Sequence, residues 1–460
     1  MKRIAFLSVF LLVSFFLTAQ TYKPTWESID KRPVPAWFTD AKFGIFIHWG
    51  IYSVPSWAPA NEPIGIYAKY AEWYWYRSTQ NTGPEHRLFK AFHDSLYGPG
   101  FQYQDFAGQF KAELFEPQKW ADVFAGSGAK YVVLTSKHHE GFCLWPSEQS
   151  WNWNSVDIGP HRDLAGDLTR AVKDKGLHMG FYFSLYEWFN PLYKNNIEKY
   201  VDNHMIPQMK DLVTRYEPDL LYTDGEWDHP SETWKSTQFL AWLYNESSVK
   251  DRVVVNDRWG KETRSRHGGY YTTEYDLVHD QKGIGEAASH PWEECRGIGT
   301  SFGYNRIEDL NNYMTSKALV DLLIEKVATG GNLLLDIGPT ADGRIPVIMQ
   351  QRLLDMGDWL KVNGESIYGT RVWSKQPKQA MPGIYFTTKG NDLFVICTTW
   401  PQKTITIPGI KSSGSVQLLG SALKVTARAN GNLSIQPPAV NPGNMPCQHA
   451  WVFKVKDFMD

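Results

Sequence analysis

A TIM-like (β/α)8 barrel followed by a C-terminal antiparallel β-sandwich is the α/β fold class that three observations predict. Short β-rich runs alternate with longer helical or loop segments from residue 21 to about residue 372. Several of those runs end in a polar group, which is where such a barrel keeps its chemistry. From about residue 373 the texture changes to short alternating runs separated by turn signals. With 460 residues, 42% of them hydrophobic and 21% charged, the chain has material for one large barrel and a smaller module.

Taken in chain order, residues 1–20 place Lys2 and Arg3 before an apolar run of about 15 residues and then small residues, the layout of a secretory signal. The run is short for a membrane span, so cleavage near Ala19 or Gln20 and a periplasmic or secreted mature chain are expected. No later segment is apolar enough to cross a bilayer. The predicted barrel strands are residues 43–49, 131–137, 178–184, 219–224, 252–257, 270–274, 299–303 and 332–337, within a barrel spanning residues 21–372. The first connection, residues 51–130, exceeds one helix and carries Trp57, Trp73, Tyr74, Trp75 and Tyr76, the size and content of a pocket wall. Residues 194–215 read as a helix because Ile197, Val201, Met205 and Met209 recur every four residues. Runs such as GIYFTTKGND, LFVICTTWP and AWVFKVKD predict the sandwich, residues 373–460, which shows no convergent polar set and reads as support for the barrel.

Composition removes some function classes. A net charge of −2 without a basic run excludes the electrostatic footprint of nucleic-acid binding. The aromatic share is 15%, and aromatic faces pack on the C–H faces of sugar rings, although most of these residues serve as core. Cys143, Cys295, Cys397 and Cys447 lack metal-ligand spacing. In an exported chain they form either buried free thiols or two disulfides, with Cys397 and Cys447 the best pair because both fall in the C-terminal module.

The candidate chemistry lies at strand ends. YEPDLLYTDGEWD delivers Asp224 at the tip of an apolar run, followed by Gly225, whose lack of a side chain permits close approach by a ligand. Glu226 and Asp228 lie beyond the tip and read as supporting or solvated groups. FGIFIHWG ends in His48, YVVLTSKHHEG in His138 and His139, and MGFYFSLYEW passes Tyr182. VVVNDRWG ends in Asp257 and Arg258, and YYTTEY ends in Glu274. Three histidines invite a zinc reading, but neighbours on a strand point to opposite faces and no Cys or carboxylate completes the set, so no metal is expected.

These segments carry a resemblance. KFGIFIHWGIYSVPSWAP, AEWY, SKHHEGFCLWPS, LLYTDGEW, VVVNDRWG, TTEY, SFGYNR and NLLLDIGPTADG together resemble a glycoside hydrolase family 29 α-L-fucosidase from about residue 23 to the barrel's end. The resemblance implies a retaining enzyme without cofactor or metal, acting on fucosylated oligosaccharides or glycoconjugates. Retaining hydrolysis needs a nucleophilic carboxylate and a protonated carboxyl about 5–5.5 Å apart. It implies Asp224 as nucleophile and Glu274 as general acid/base, with Asp276, Glu293 and Glu72 as rivals for the second role. Of these, Glu293 beside Glu294 reads as a solvated loop pair. It further implies that His48, His138 and His139 donate hydrogen bonds to sugar hydroxyls, joined by Glu72, Trp73 and Arg258. Arg258 would also keep Asp224 ionised. Phe302, aided by Trp73, faces the sugar methyl, with Tyr182 as a further contact. A catalytically silent fucose-binding protein and a metal-dependent hydrolase using the histidines are the competing readings.

Overall fold

A computed structural model describes residues 21–460 apart from 81–82, 279–280, 283–288, 378 and 380. The export segment expected at residues 1–20 lies outside the described residues. Eight parallel strands form the barrel: β1 Phe43–Ile47, β2 Tyr131–Lys137, β3 His178–Ser184, β4 Leu220–Asp224, β5 Val254–Val255, β6 Tyr271–Glu274, β7 Trp292–Gly297 and β8 Gly331–Ile337. Their order is β5-β4-β3-β2-β1-β8-β7-β6, with two short antiparallel strands, Leu277–Val278 and Gln281–Lys282, appended to β6. The β5–β6 seam is held by two backbone bonds, Gly269 N–H to the Asn256 carbonyl at 3.1 Å and Tyr270 N–H to the Val255 carbonyl at 3.0 Å. Gly269 is required there, since a Cβ would lie 1.8 Å from the Val255 carbonyl oxygen.

The strands are buried on both faces, and period-2 alternation sorts their side chains. Phe46, Tyr131, Val133, Tyr182, Tyr222 and Leu334 pack inside the barrel. Ile45, Val132, Phe181, Leu221 and Leu335 pack outward. The outer layer includes helices α1 Pro117–Gly126, α2 Leu164–Asp174, α3 Ile206–Tyr216, α4 Ser236–Asn245, α5 Ser316–Ala328 and α6 Val347–Asn363. The helix predicted at 194–215 is interrupted. Ile206 N–H reaches back five residues to the Val201 carbonyl, a wide turn that accommodates Pro207, which has no N–H to donate. No helix among the described residues is long and apolar enough to cross a membrane.

One predicted strand is misplaced. The seventh strand is Trp292–Gly297, and residues 299–303 form the loop that follows it. Glu293 and Glu294 are therefore buried strand residues on opposite faces, not a solvated loop pair. Glu293 accepts the Tyr131 hydroxyl inside the barrel, and Glu294 accepts the Thr273 hydroxyl and the Asp276 N–H outside it.

Beyond the barrel, β9 Arg371–Val372, β10 Ile384–Lys389, β11 Asp392–Cys397, β12 Ile405–Pro408, β13 Val416–Leu418, β14 Thr426–Ala429, β15 Asn432–Gln436 and β16 Trp451–Val455 form two antiparallel sheets, β9-β10-β11-β16-β13 and β12-β15-β14. Leu393, Val395 and Phe453 join a core between them, while Phe394, Ile396 and Val452 join the barrel's outer shell. All four cysteines are free, which overturns the Cys397–Cys447 pair. Cys397 is buried in that sheet core, whereas Cys447 turns toward the barrel side, its sulfur 3.4 Å from Asn363 Nδ2 on α6.

Candidate active site

Most barrel strands bring a residue at or just past their ends to one cleft. On β4 the inward set is Leu220, Tyr222 and Asp224, so the alternation that packs the barrel also presents the carboxylate at its mouth. β3 presents Tyr182 and β6 presents Glu274. On β2 the register shifts between Thr135 and Lys137, and this bulge reverses the alternation. Lys137 turns outward to Glu187 and Gln208, and His138 turns inward. Gly225 has φ +76°, and a Cβ there would lie 2.6 Å from Tyr186 Cβ. The close approach it permits is thus the neighbouring loop's rather than a ligand's.

Asp224 is 8% exposed. Its Oδ1 lies 2.7 Å from Arg258 Nη1 and 3.6 Å from Arg264 Nη2. Its Oδ2 accepts the Tyr182 hydroxyl at 2.9 Å and lies 3.9 Å from His139 Nε2. Burial alone would raise its pKa, but the positive charges of Arg258 and Arg264 outweigh burial and hold it well below the usual carboxylate range. Glu274 Oε1 accepts the Tyr70 hydroxyl at 2.9 Å, and Oε2 lies 3.3 Å from Arg258 Nη2. One guanidinium therefore spans both carboxyl groups. Its Nε bonds Thr272 Oγ1 at 3.1 Å, and Thr272 in turn donates to Asp257 at 2.7 Å, so the fork is fixed from behind.

Two of the three rivals to Glu274 lie elsewhere or face another way. Asp276 pairs with Lys326 and Arg296 on the barrel's outer side. Glu293 lies deeper in the barrel, where burial pushes its pKa up to about 8. Glu72 does reach the cleft, from the turn Ala71–Trp73 of the long first connection. Burial pushes it up to about 7, and its Oε2 accepts the Gly303 N–H at 2.8 Å.

Two cavities share Tyr70, Trp73, Asp224, Arg258 and Glu274 in their walls. The outer, about 340 Å³, adds His139, Arg264 and Trp227; the inner, about 40 Å³, adds His48, Glu72, His138, Tyr182 and Phe302. All ten residues expected at the site thus line one cleft. Phe302 stacks on His48 with ring centroids 4.9 Å apart, and Trp73 packs edge-on to His139 at 5.0 Å.

The α-L-fucosidase family profile matches residues 11–365, and that of the α-L-fucosidase C-terminal domain matches residues 376–456. This chain belongs to the α-L-fucosidase family. It is 44% identical over 451 residues to an α-L-fucosidase of Branchiostoma floridae, covering 95% of this chain and 96% of that one. It is 43% identical over 446 residues to the tissue α-L-fucosidase of Homo sapiens, covering 94% and 91%. The solved α-fucosidase of Thermotoga maritima in complex with fucose superposes with a TM-score of 0.78 at 37% identity, covering 94% of this chain and 100% of that one.

Within this fucosidase-family cleft two of the histidines, His48 and His139, are committed to protein partners on one side. His48 Nδ1 lies 2.6 Å from Asp336 Oδ1. Burial lowers His48 and raises Asp336, which favours the uncharged form of each. His139 Nδ1 lies 2.7 Å from Ser184 Oγ, whose own proton goes to the Tyr186 carbonyl at 2.6 Å. His139 must then donate at Nδ1, and burial keeps it neutral, leaving the Nε2 lone pair facing the cleft. No group of three or more His, Cys, Asp or Glu side chains among the described residues is arranged to hold a metal ion.

Sequence reasoning missed Tyr70, Trp227, Arg264 and Asp336. Asp336 was readable, since NLLLDIG ends an apolar strand in an acid just as LLYTDG does. Trp227 directly follows DGE. Arg264, in the charged run KETRSR, had no such signal.

The placement of Glu293 carries a prediction. A carboxyl raised to about 8 in the folded chain stays protonated while the unfolded chain loses its proton, so stability is full below the ordinary carboxylate range and falls as pH rises toward 8. Glu293→Gln, neutral and of similar shape, is expected to gain on the order of 2 kcal/mol relative to the native chain between pH 5 and pH 8 in denaturant titrations. Its turnover should be unaltered. An equal stability difference at both pH values would contradict a neutral buried Glu293.

Proposed function

We propose that this chain is a retaining exo-α-L-fucosidase that hydrolyses terminal α-L-fucosyl linkages of fucosylated oligosaccharides or glycoconjugates, with Asp224 as nucleophile and Glu274 as general acid/base. The observation that carries the reading is the Arg258 fork, which touches both carboxyl groups at the wall shared by the two cavities. The inner cavity is floored by packed barrel interior, including Phe46, Tyr222 and Cys295, so a glycan enters only as far as its terminal sugar.

The chemistry follows from the charges. Asp224, ionised, attacks the anomeric carbon while Glu274 gives its proton to the glycosidic oxygen, and the C–O bond to the leaving group breaks. Negative charge thereby passes from Asp224, now an ester, to Glu274. Arg258 meets either carboxylate without moving far, and Tyr182 and Tyr70 each hold one of them. In the second half Glu274 takes a proton from water, whose oxygen attacks the same carbon and releases Asp224. Two inversions give retention.

The remaining roles fit fucose. Phe302, backed by His48 and Tyr70, offers an apolar wall to the methyl group. His48, Glu72, Trp73, His138, His139 and Arg258 meet the ring and its hydroxyls. At His139 the direction reverses that expected from resemblance, because its Nε2 accepts a sugar hydroxyl rather than donating to one. Export through residues 1–20 is supported by their charge and apolar pattern alone.

Release of the first-formed sugar from an aryl α-L-fucoside, followed by proton NMR with and without a chelator, tests the reading. α-L-Fucose should appear first and the rate should survive chelation. Initial β-L-fucose would remove the double displacement, loss of rate restored by zinc would favour a metal-dependent hydrolase, and binding without release would favour a silent lectin-like role.

A further inference from the structure

We propose that Arg264, anchored by Glu226, is a positioning residue that gives Asp224 a positive neighbour which Glu274 lacks, and so decides which carboxyl group attacks and which carries the proton. This rests on the roles assigned above. Arg258 makes the distinction only in part, because it places one nitrogen on each carboxyl group, 2.7 Å from Asp224 and 3.3 Å from Glu274, and each group also receives one phenol hydroxyl. Arg264 adds a second cation on the Asp224 side alone. Its Nη2 lies 3.6 Å from Asp224 Oδ1 and its Nε lies 2.6 Å from Glu226 Oε1, and no ion pair among the described residues joins it to Glu274.

The arginine is aimed rather than loose. Thr263 Oγ1 accepts the Trp259 N–H at 3.0 Å and lies 2.7 Å from the Asp257 carbonyl, while Ser265 N–H donates to Asp257 Oδ2 at 2.8 Å. These bonds fix the turn on either side of Arg264. Glu226 is fully buried, and the Trp234 indole donates to its carbonyl at 3.0 Å. The pair thus stays in place through both half-reactions. It favours ionised Asp224 before attack and again as the leaving group when water arrives, while Arg258 follows the charge to Glu274.

Among the described residues, the charged and titratable groups around the two carboxyls come from several elements. Asp224 faces Tyr182 from β3, His139 after β2, His48 after β1, Arg258 and Arg264 after β5, and Glu226 on its own loop. Glu274 faces Tyr70, Glu72, Arg258, Tyr275 and Cys295.

The test is the pH profile of kcat/KM on an aryl α-L-fucoside for the full-length protein and for Arg264→Gln and Arg264→Lys. In the Gln variant the acidic limb should move up by about one pH unit, a roughly tenfold loss at the acid end, with the alkaline limb unmoved. Lys, which keeps the charge but cannot reach both acids, should recover part of that shift. A Gln profile with neither limb moved, or with both limbs displaced together, would overturn the proposal. Should Gln fail to fold, Arg264→Met, which also removes the charge, decides: a rise confined to the acidic limb supports the proposal, and a native profile overturns it. Failure of the underlying assignment looks different, because the native chain would then form no covalent fucosyl ester at Asp224.

Discussion

Asp224→Gly is expected to lower hydrolysis of aryl fucosides and natural glycans alike, by about 10⁴-fold or more. Without the carboxylate there is no covalent intermediate, and no other acid takes its place: Glu226 is held by Arg264, and Glu274 lies across the Arg258 fork. Removing Asp224 also opens space beside Arg258, Arg264 and Tyr182, a ready site for a small anion. Azide entering there should displace an acidic phenol in one inversion and yield β-L-fucosyl azide. Product of the α configuration would show that a second nucleophile still operates.

Glu274→Ala should split substrates by leaving group. A general acid matters most when the departing oxygen is strongly basic, so kcat/KM on natural glycans should fall about 10²–10⁴-fold. For fucosides of acidic phenols kcat/KM, which reports the first step, should fall by less than about tenfold. Azide should then intercept the ester on Asp224 from the opposite face and give α-L-fucosyl azide, since azide needs no base. Equal losses on both substrates without azide capture, together with the split in Asp276→Ala or Glu72→Ala, would move the proton-transfer role to that residue.

Most of the barrel was legible because β1, β2, β3, β4 and β8 are buried on both faces and read as apolar or aromatic runs. The seventh strand was not, because WEECRG carries charges that tertiary partners neutralise or absorb. Burial pushes Glu293 up to about 8 and Glu294 up to about 7, while Arg296 pairs with Asp276 and lies over Tyr275. A run of two glutamates looks solvated until Tyr131 and Thr273 are seen to face it. The long matched segments made the side chains that line the cleft readable, Asp224 and Glu274 among them. Two features lay beyond sequence periodicity. The bulge in β2, which turns His138 inward and Lys137 outward, depends on pairing with β3. The Arg264–Glu226 pair joins a loop after β5 to one after β4, a contact that neither segment announces.

The most direct measurement is to trap the intermediate with a slow 2-deoxy-2-fluoro-α-L-fucosyl substrate, digest the protein, and locate the added sugar by peptide mass spectrometry. The expected result is one fucosylated peptide carrying the ester at Asp224, with the label absent in Asp224→Gly and accumulating in Glu274→Ala. A label on another carboxylate, or turnover of the natural substrate with no trapped ester, would contradict attack by Asp224.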